Sequence, residues 1–153
     1  MKLNVFTDYS LRVLIYLAAE PGRRATIGEI AAAFGISDHH LTKVVHFLGK
    51  AGFLANVRGK GGGLGLARRA DQIGVGEVVR LSEGADQPAQ CFDGRAQTCA
   101  IAGVCKLAGV LAEAMAAFHA VLDRYTLEDL VHNRDTLTSL LFSSRPVQGA
   151  GSI

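Results

Sequence analysis

The run Arg58-Gly59-Lys60-Gly61-Gly62-Gly63 fits neither a helix interior nor a strand, because glycine loses the most backbone freedom on ordering and packs no side chain. Phe53 to Val57 on one side and Leu64 to Leu66 on the other are strand-prone. A strand, a glycine-rich loop and a returning strand make a β-hairpin with a basic tip. The preceding residues constrain the fold further. Thr26-Ile27-Gly28-Glu29 has capping-box spacing, in which the threonine hydroxyl and the glutamate carboxylate each accept the other residue's backbone N–H. A short helix is expected from there to Phe34, turned by Gly35-Ile36. Ser37 is the next N-cap; Leu41, Val44, Val45 and Leu48 recur at helical spacing up to Ala51, and Gly52 follows as a left-handed stop. Leu11, Leu14, Ile15 and Ala18 place an earlier helix over residues 8–19, ended by Pro21-Gly22. This order predicts a winged helix-turn-helix, whose helix after the turn enters the DNA major groove. Its wing follows the backbone or probes the minor groove.

The second half reads differently. A helix is expected from Gly74 to Leu81, carried by Val75, Val78 and Val79. Residues 82–103 form a polar loop. A long helix over 104–124 repeats Val104, Leu111, Phe118 and Tyr125 every seven residues, with Leu107, Ala114 and Val121 between. That is a seam for a two-helix dimer contact, although by pattern alone a stripe such as Met115 and Phe118 is more often internal core. Two-fold dimers on palindromic sites are the common solution for DNA readers, which favours the seam. Thr126 and Asp129 mark a short helix, a last one covers 136–141, and 143–153 reads as a tail. The expected fold class is mainly α with a small β-hairpin wing. It divides into a winged helix-turn-helix at 1–81, a cysteine loop at 82–103, a dimerisation helix with C-terminal helices at 104–142, and a flexible tail at 143–153.

A hydrophobic fraction of 49% supplies a core. No run is long and apolar enough to span a bilayer, and the start lacks a signal-peptide pattern, so the expected location is cytoplasmic. Residues 1–80 carry eleven Lys/Arg against six Asp/Glu, whereas 81–153 carry five against eight. A basic front half suits a polyanion partner. Lys60 does not complete a nucleotide-binding loop, since Gly61 stands where Ser or Thr is required. No nucleophile–base constellation is present, and the chain reads as a non-enzyme. Candidate DNA contacts are Thr26, Ser37, His39, His40 and Lys43 on the helix-turn-helix, with Arg58 and Lys60 on the wing. His46, His119 and His132 are isolated and read as solvated or structural.

All three cysteines fall in one polar segment, spaced Cys91-x7-Cys99-x5-Cys105. Paired CxxC knuckles, the usual zinc pattern, are absent. Structural thiols favour apolar faces, and these stand among Asp93, Gly94, Arg95, Gln97 and Thr98. Three thiolates on a loop suit an iron–sulfur cluster, with a thiol redox switch as the other reading.

The opening LNVFTDYSLRVLIYLA, the segment GISDHHLTKVVHFLGKAGFL, the wing VRGKGGGLGLA, the stretch IGVGEVVRLSEG, the three cysteines and FHAVLDRYTLEDLV together resemble the winged-helix transcription regulators that carry an iron–sulfur cluster. The resemblance spans residues 1–142 and is nearest to the nitric-oxide-sensing repressors of that family. It implies a homodimer on a palindromic double-stranded operator, with a cluster held by Cys91, Cys99 and Cys105, of the 4Fe-4S type in preference to 2Fe-2S. Nitric oxide would be the signal. Relatives that use a histidine three residues after the third cysteine differ here, because that position is Ala108. The nitric-oxide-sensing pattern instead matches Asp8, supplied by the partner subunit, with Arg12 placed to pair with it when it is not a ligand. The Cys91–Cys99 spacing is wider than the five residues usual in the family. A regulator of iron or cluster supply is the nearest alternative, and an electron-transfer protein without DNA binding is the alternative from another class.

Overall fold

A computed structural model describes residues 3–59, 61–84, 92, 99–102 and 104–142. Helix α1 spans Val5–Ala19 and begins a turn earlier than the apolar spacing predicts. Its N-cap is Asn4, whose side-chain oxygen accepts the Thr7 N–H at 2.7 Å; the β-prone Val5, Phe6 and Thr7 mask that start. Helix α2, Ile27–Phe34, has the expected capping box: the Thr26 N–H donates to Glu29 Oε2 at 2.6 Å and the Glu29 N–H to Thr26 Oγ at 3.2 Å. Gly35 ends it at φ 64°, a left-handed conformation that costs glycine no Cβ clash. Helix α3, Asp38–Lys50, is capped by Ser37, whose Oγ accepts the His40 N–H at 3.4 Å.

Strands β1 (Leu54–Val57) and β2 (Gly63–Leu66) pair antiparallel, Leu54 opposite Leu66 and Val57 opposite Gly63. The wing is also pinned at its base. Ala25, in the α1–α2 loop, exchanges backbone hydrogen bonds of 3.1 and 2.8 Å with Leu64. One residue of pairing leaves no periodic signal in a sequence. At the tip, a Cβ on Gly62 would overlap the Val57 carbonyl oxygen, so the loop closes only around glycine there.

After a 3-10 turn at Ala70–Gln72 come α4 (Val75–Glu83), α5 (Leu107–Leu122), α6 (Leu127–Leu130) and α7 (Arg134–Phe142). Val13, Leu14, Ile30, Leu41, Val44, Leu48, Phe53, Ile73, Val78, Leu127 and Val131 are buried in one core. That core joins the winged half to α6. The Leu127 N–H donates to Ile73 O at 2.8 Å and the Val75 N–H to Tyr125 O at 2.9 Å.

Neither α7 nor α5 places a buried residue in that core, and α5 is the longer and more apolar of the two. None of its sixteen residues is buried. Leu107 and Val110 are 60% and 59% exposed, and Val104 before the helix is 82% exposed. Val104 and Tyr125 lie outside the helix, so the helical part of the seven-residue seam is shorter than the spacing predicts. Arg80 fastens α5 to α4 through a two-nitrogen grip on Asp123 at 2.7 and 3.0 Å. Gly76 makes room for this, since a Cβ there would overlap the Asp123 carboxylate.

Candidate nucleic-acid face and cysteine segment

Leu41, Val44 and Leu48 turn one side of α3 into the core. The opposite side exposes His39, Thr42, Lys43, His46 and Lys50. It is a polar, cationic stripe with donors at helical spacing, the kind of surface that reads base edges and phosphates. Ser37 and His40 are exposed beside it. The Ser37 oxygen is occupied by its cap, which leaves the hydroxyl proton to donate. The His40 ring lies 6.3 Å from Tyr9 and 6.1 Å from His39, against the first turns of α1. His46 reads as isolated along the chain. On the helix it stands one turn from both Thr42 and Lys43, a spacing that would have found it.

Thr26 sits at the start of α2 with its hydroxyl committed within the chain, donating to Glu29 Oε2 at 3.0 Å. The Glu29 carboxyl is held below the usual glutamate range, first by the Thr26 backbone N–H and further by Arg23. Arg23 pairs with Glu29 at 3.1 Å and lies 4.2 Å over the ring of Phe142, the last residue of α7. Arg58 is exposed at the end of β1 and makes no ion pair among the described residues. Lys60 lies outside the described residues.

Cys99 is exposed and Cys105 half-buried, and both are free thiols. The Cys99 carbonyl accepts the Ala102 N–H at 3.1 Å, and Ile101 accepts from Val104 at 3.0 Å, a pair of turns leading to Cys105 and α5. Cys91 lies outside the described residues. Among the described residues no three His, Cys, Asp or Glu side chains converge to hold a metal. Asp8, in the first turn of α1, is half-exposed and pairs with Arg12 at 2.9 Å, the arrangement expected from their spacing. Arg12 in turn lies 5.8 Å over the Phe34 ring. No described helix is long and apolar enough to cross a membrane.

The family model for Rrf2, described as an iron-dependent transcriptional regulator, matches residues 3–133. The HTH-type transcriptional regulator NsrR of Bacillus subtilis (strain 168) is 49% identical over 142 residues, covering 92% of this chain and 97% of that one. NsrR of Geobacillus kaustophilus (strain HTA426) is 44% identical over 146 residues, covering 95% and 99%. Among solved structures, CymR (YrzC), the global cysteine regulator of B. subtilis, matches with a TM-score of 0.68 at 28% identity over 87% of this chain and 98% of that one. IscR of T. potens matches with a TM-score of 0.70 at 24% identity over 99% and 94%, a likeness of fold.

Proposed function

This chain belongs to the Rrf2 family of transcriptional regulators, and from that premise we propose that it is an iron–sulfur, nitric-oxide-sensitive repressor binding a palindromic operator as a homodimer. The observation that carries this reading is the match to NsrR over 92% of the chain, which takes in the helix-turn-helix, the wing and the cysteine segment together. The exposed stripe of α3 supports major-groove entry, with Ser37, His39, His40 and Lys43 as contacts and His46 added to them. Arg58 would enter the minor groove, and Lys60 and the start of α2 at Thr26 would meet phosphates. The bare apolar face of α5 supports pairing with a second copy. Two recognition helices would then lie about 34 Å apart, one turn of DNA.

Cys91, Cys99 and Cys105 would hold the cluster, and Asp8 would come from the partner subunit. The described donors fit this: Cys99 and Cys105 are free thiols near the surface, and Asp8 has an accessible carboxylate. When bound, the cluster would supply thiolate-held iron able to react with nitric oxide. The chain's own part is to report whether Asp8 is engaged. Arg12 receives the carboxylate when it is free. The same helix carries Phe6, 5.1 Å from Phe47, and Tyr9, 6.3 Å from His40, both against α3. A shift of the first turn of α1 therefore reaches the DNA-reading helix directly.

Anaerobic isolation with native mass spectrometry tests the cluster, and operator gel shifts with nitric oxide or an iron chelator test the signal. Release by nitric oxide at constant iron is the expected result. Indifference to nitric oxide with release by the chelator would replace this reading with sensing of iron supply.

A further inference from the structure

A cleft of about 690 Å³ lies between the end of α1, the loop to α2 and the segment leaving β2, with Glu128 and Arg134 on one wall. Five arginines line it against two carboxylates, Asp71 and Glu128. Three of the five are matched. Arg134 grips Glu128 at 2.6 and 2.8 Å, Arg69 grips Asp71 at 2.7 and 3.0 Å, and Arg23 is shared between Glu20 and Glu29. The other two have donors to spare. Arg24 makes no ion pair among the described residues, and a Cβ on Gly65 would stand 3.5 Å from its guanidinium. Arg68 gives one terminal nitrogen to Glu77 at 3.1 Å and lies 4.6 Å over Phe53, but its Nε is buried without an acceptor. That Nε is closed to the cleft, so the Arg68 donor left for an anion there is the terminal nitrogen that does not reach Glu77. Leu17 and Leu66 contribute apolar lining.

We propose that this cleft is a phosphate-binding site closed by Arg24 and Arg68. A carboxylate matches one guanidinium fork, whereas a phosphate group has oxygens enough for two. The phosphate would come from a free phosphorylated small molecule or from the DNA backbone beside the wing. Occupancy would tie β2, the return strand of the wing, to the α1–α2 loop and so stiffen the wing. A free-phosphate site stands independently of operator binding; a backbone-phosphate site rests on the repressor reading above.

The test uses the full chain and its Arg24→Gln variant in inorganic phosphate and in chloride of matched ionic strength, reading thermal midpoint and operator affinity. Phosphate at tenfold its Kd should raise the wild-type midpoint saturably by about 3–6 °C. Arg24→Gln should abolish that rise, and Arg24→Lys, which keeps the charge without the fork, should retain only part of it. With a free ligand as the source, both proteins bind operator equally in chloride. With the DNA backbone as the source, Arg24→Gln weakens operator binding in chloride and lowers the salt slope by about one. An equal rise in wild type and Arg24→Gln overturns the proposal, as does the absence of a rise combined with unchanged operator affinity. If wild type binds no operator, the repressor reading fails while the thermal comparison still decides the cleft.

Discussion

Asp8 and Arg12 form a surface ion pair with both side chains more than 40% exposed, and such pairs contribute roughly 0–1 kcal/mol. Asp8→Ala should therefore leave the thermal midpoint nearly unchanged. It should alter the visible spectrum of the anaerobic protein and its nitric-oxide titration; a variant identical to wild type in both would remove Asp8 from the ligand set. Arg58 is unencumbered at the wing, and a narrow A·T minor groove concentrates negative potential. Arg58→Ala should weaken binding more on an operator with A·T-rich flanks than on one with G·C-rich flanks, read by competition gel shift. Equal losses on both would mean a backbone contact. The Asp8–Arg12 pair was legible in the sequence because helical spacing alone brings the two together. The Ala25–Leu64 pairing was not, because a contact between residues far apart in the chain depends on how the elements pack.

At the scale of elements, the two capping boxes were the most readable features, since each is closed by residues three apart. Acid should loosen the one on α2. The folded Glu29 carboxyl is depressed, chiefly by the Thr26 backbone N–H. Its contribution is thus complete above the ordinary glutamate range and is lost as pH falls through the lower folded value. Glu29→Gln should flatten that acid limb of the stability profile, and an unchanged limb in a pH–melting series would assign the acid sensitivity elsewhere. Helix α5 was legible as apolar, but its spacing alone did not distinguish a seam from a core, and only the dimer habit of DNA readers favoured the seam. The exposure of Leu107, Val110 and Val121 favours a seam, and Leu107→Glu with Val110→Glu should yield a monomer by sedimentation, with helicity and thermal midpoint largely kept. A dimer that survives would move the contact to another surface.

For the molecule as a whole, the winged half was readable because its caps, glycines and apolar periods agree with one another. The return of α6 into the same core was not, because Leu127 and Val131 show no pattern that points back to Ile73. That return has its own consequence. Gly74 bridges Thr126, and Arg80 grips Asp123, so the chain between α4 and the end of α5 departs from and comes back to one place. It is an excursion with a closed base. Lengthening a loop costs little, about 0.6 kcal/mol for each doubling. The segment between those anchors therefore resembles a cartridge. Its length is free to diverge, or the whole to be exchanged between homologues, while the DNA-reading half stays as it is.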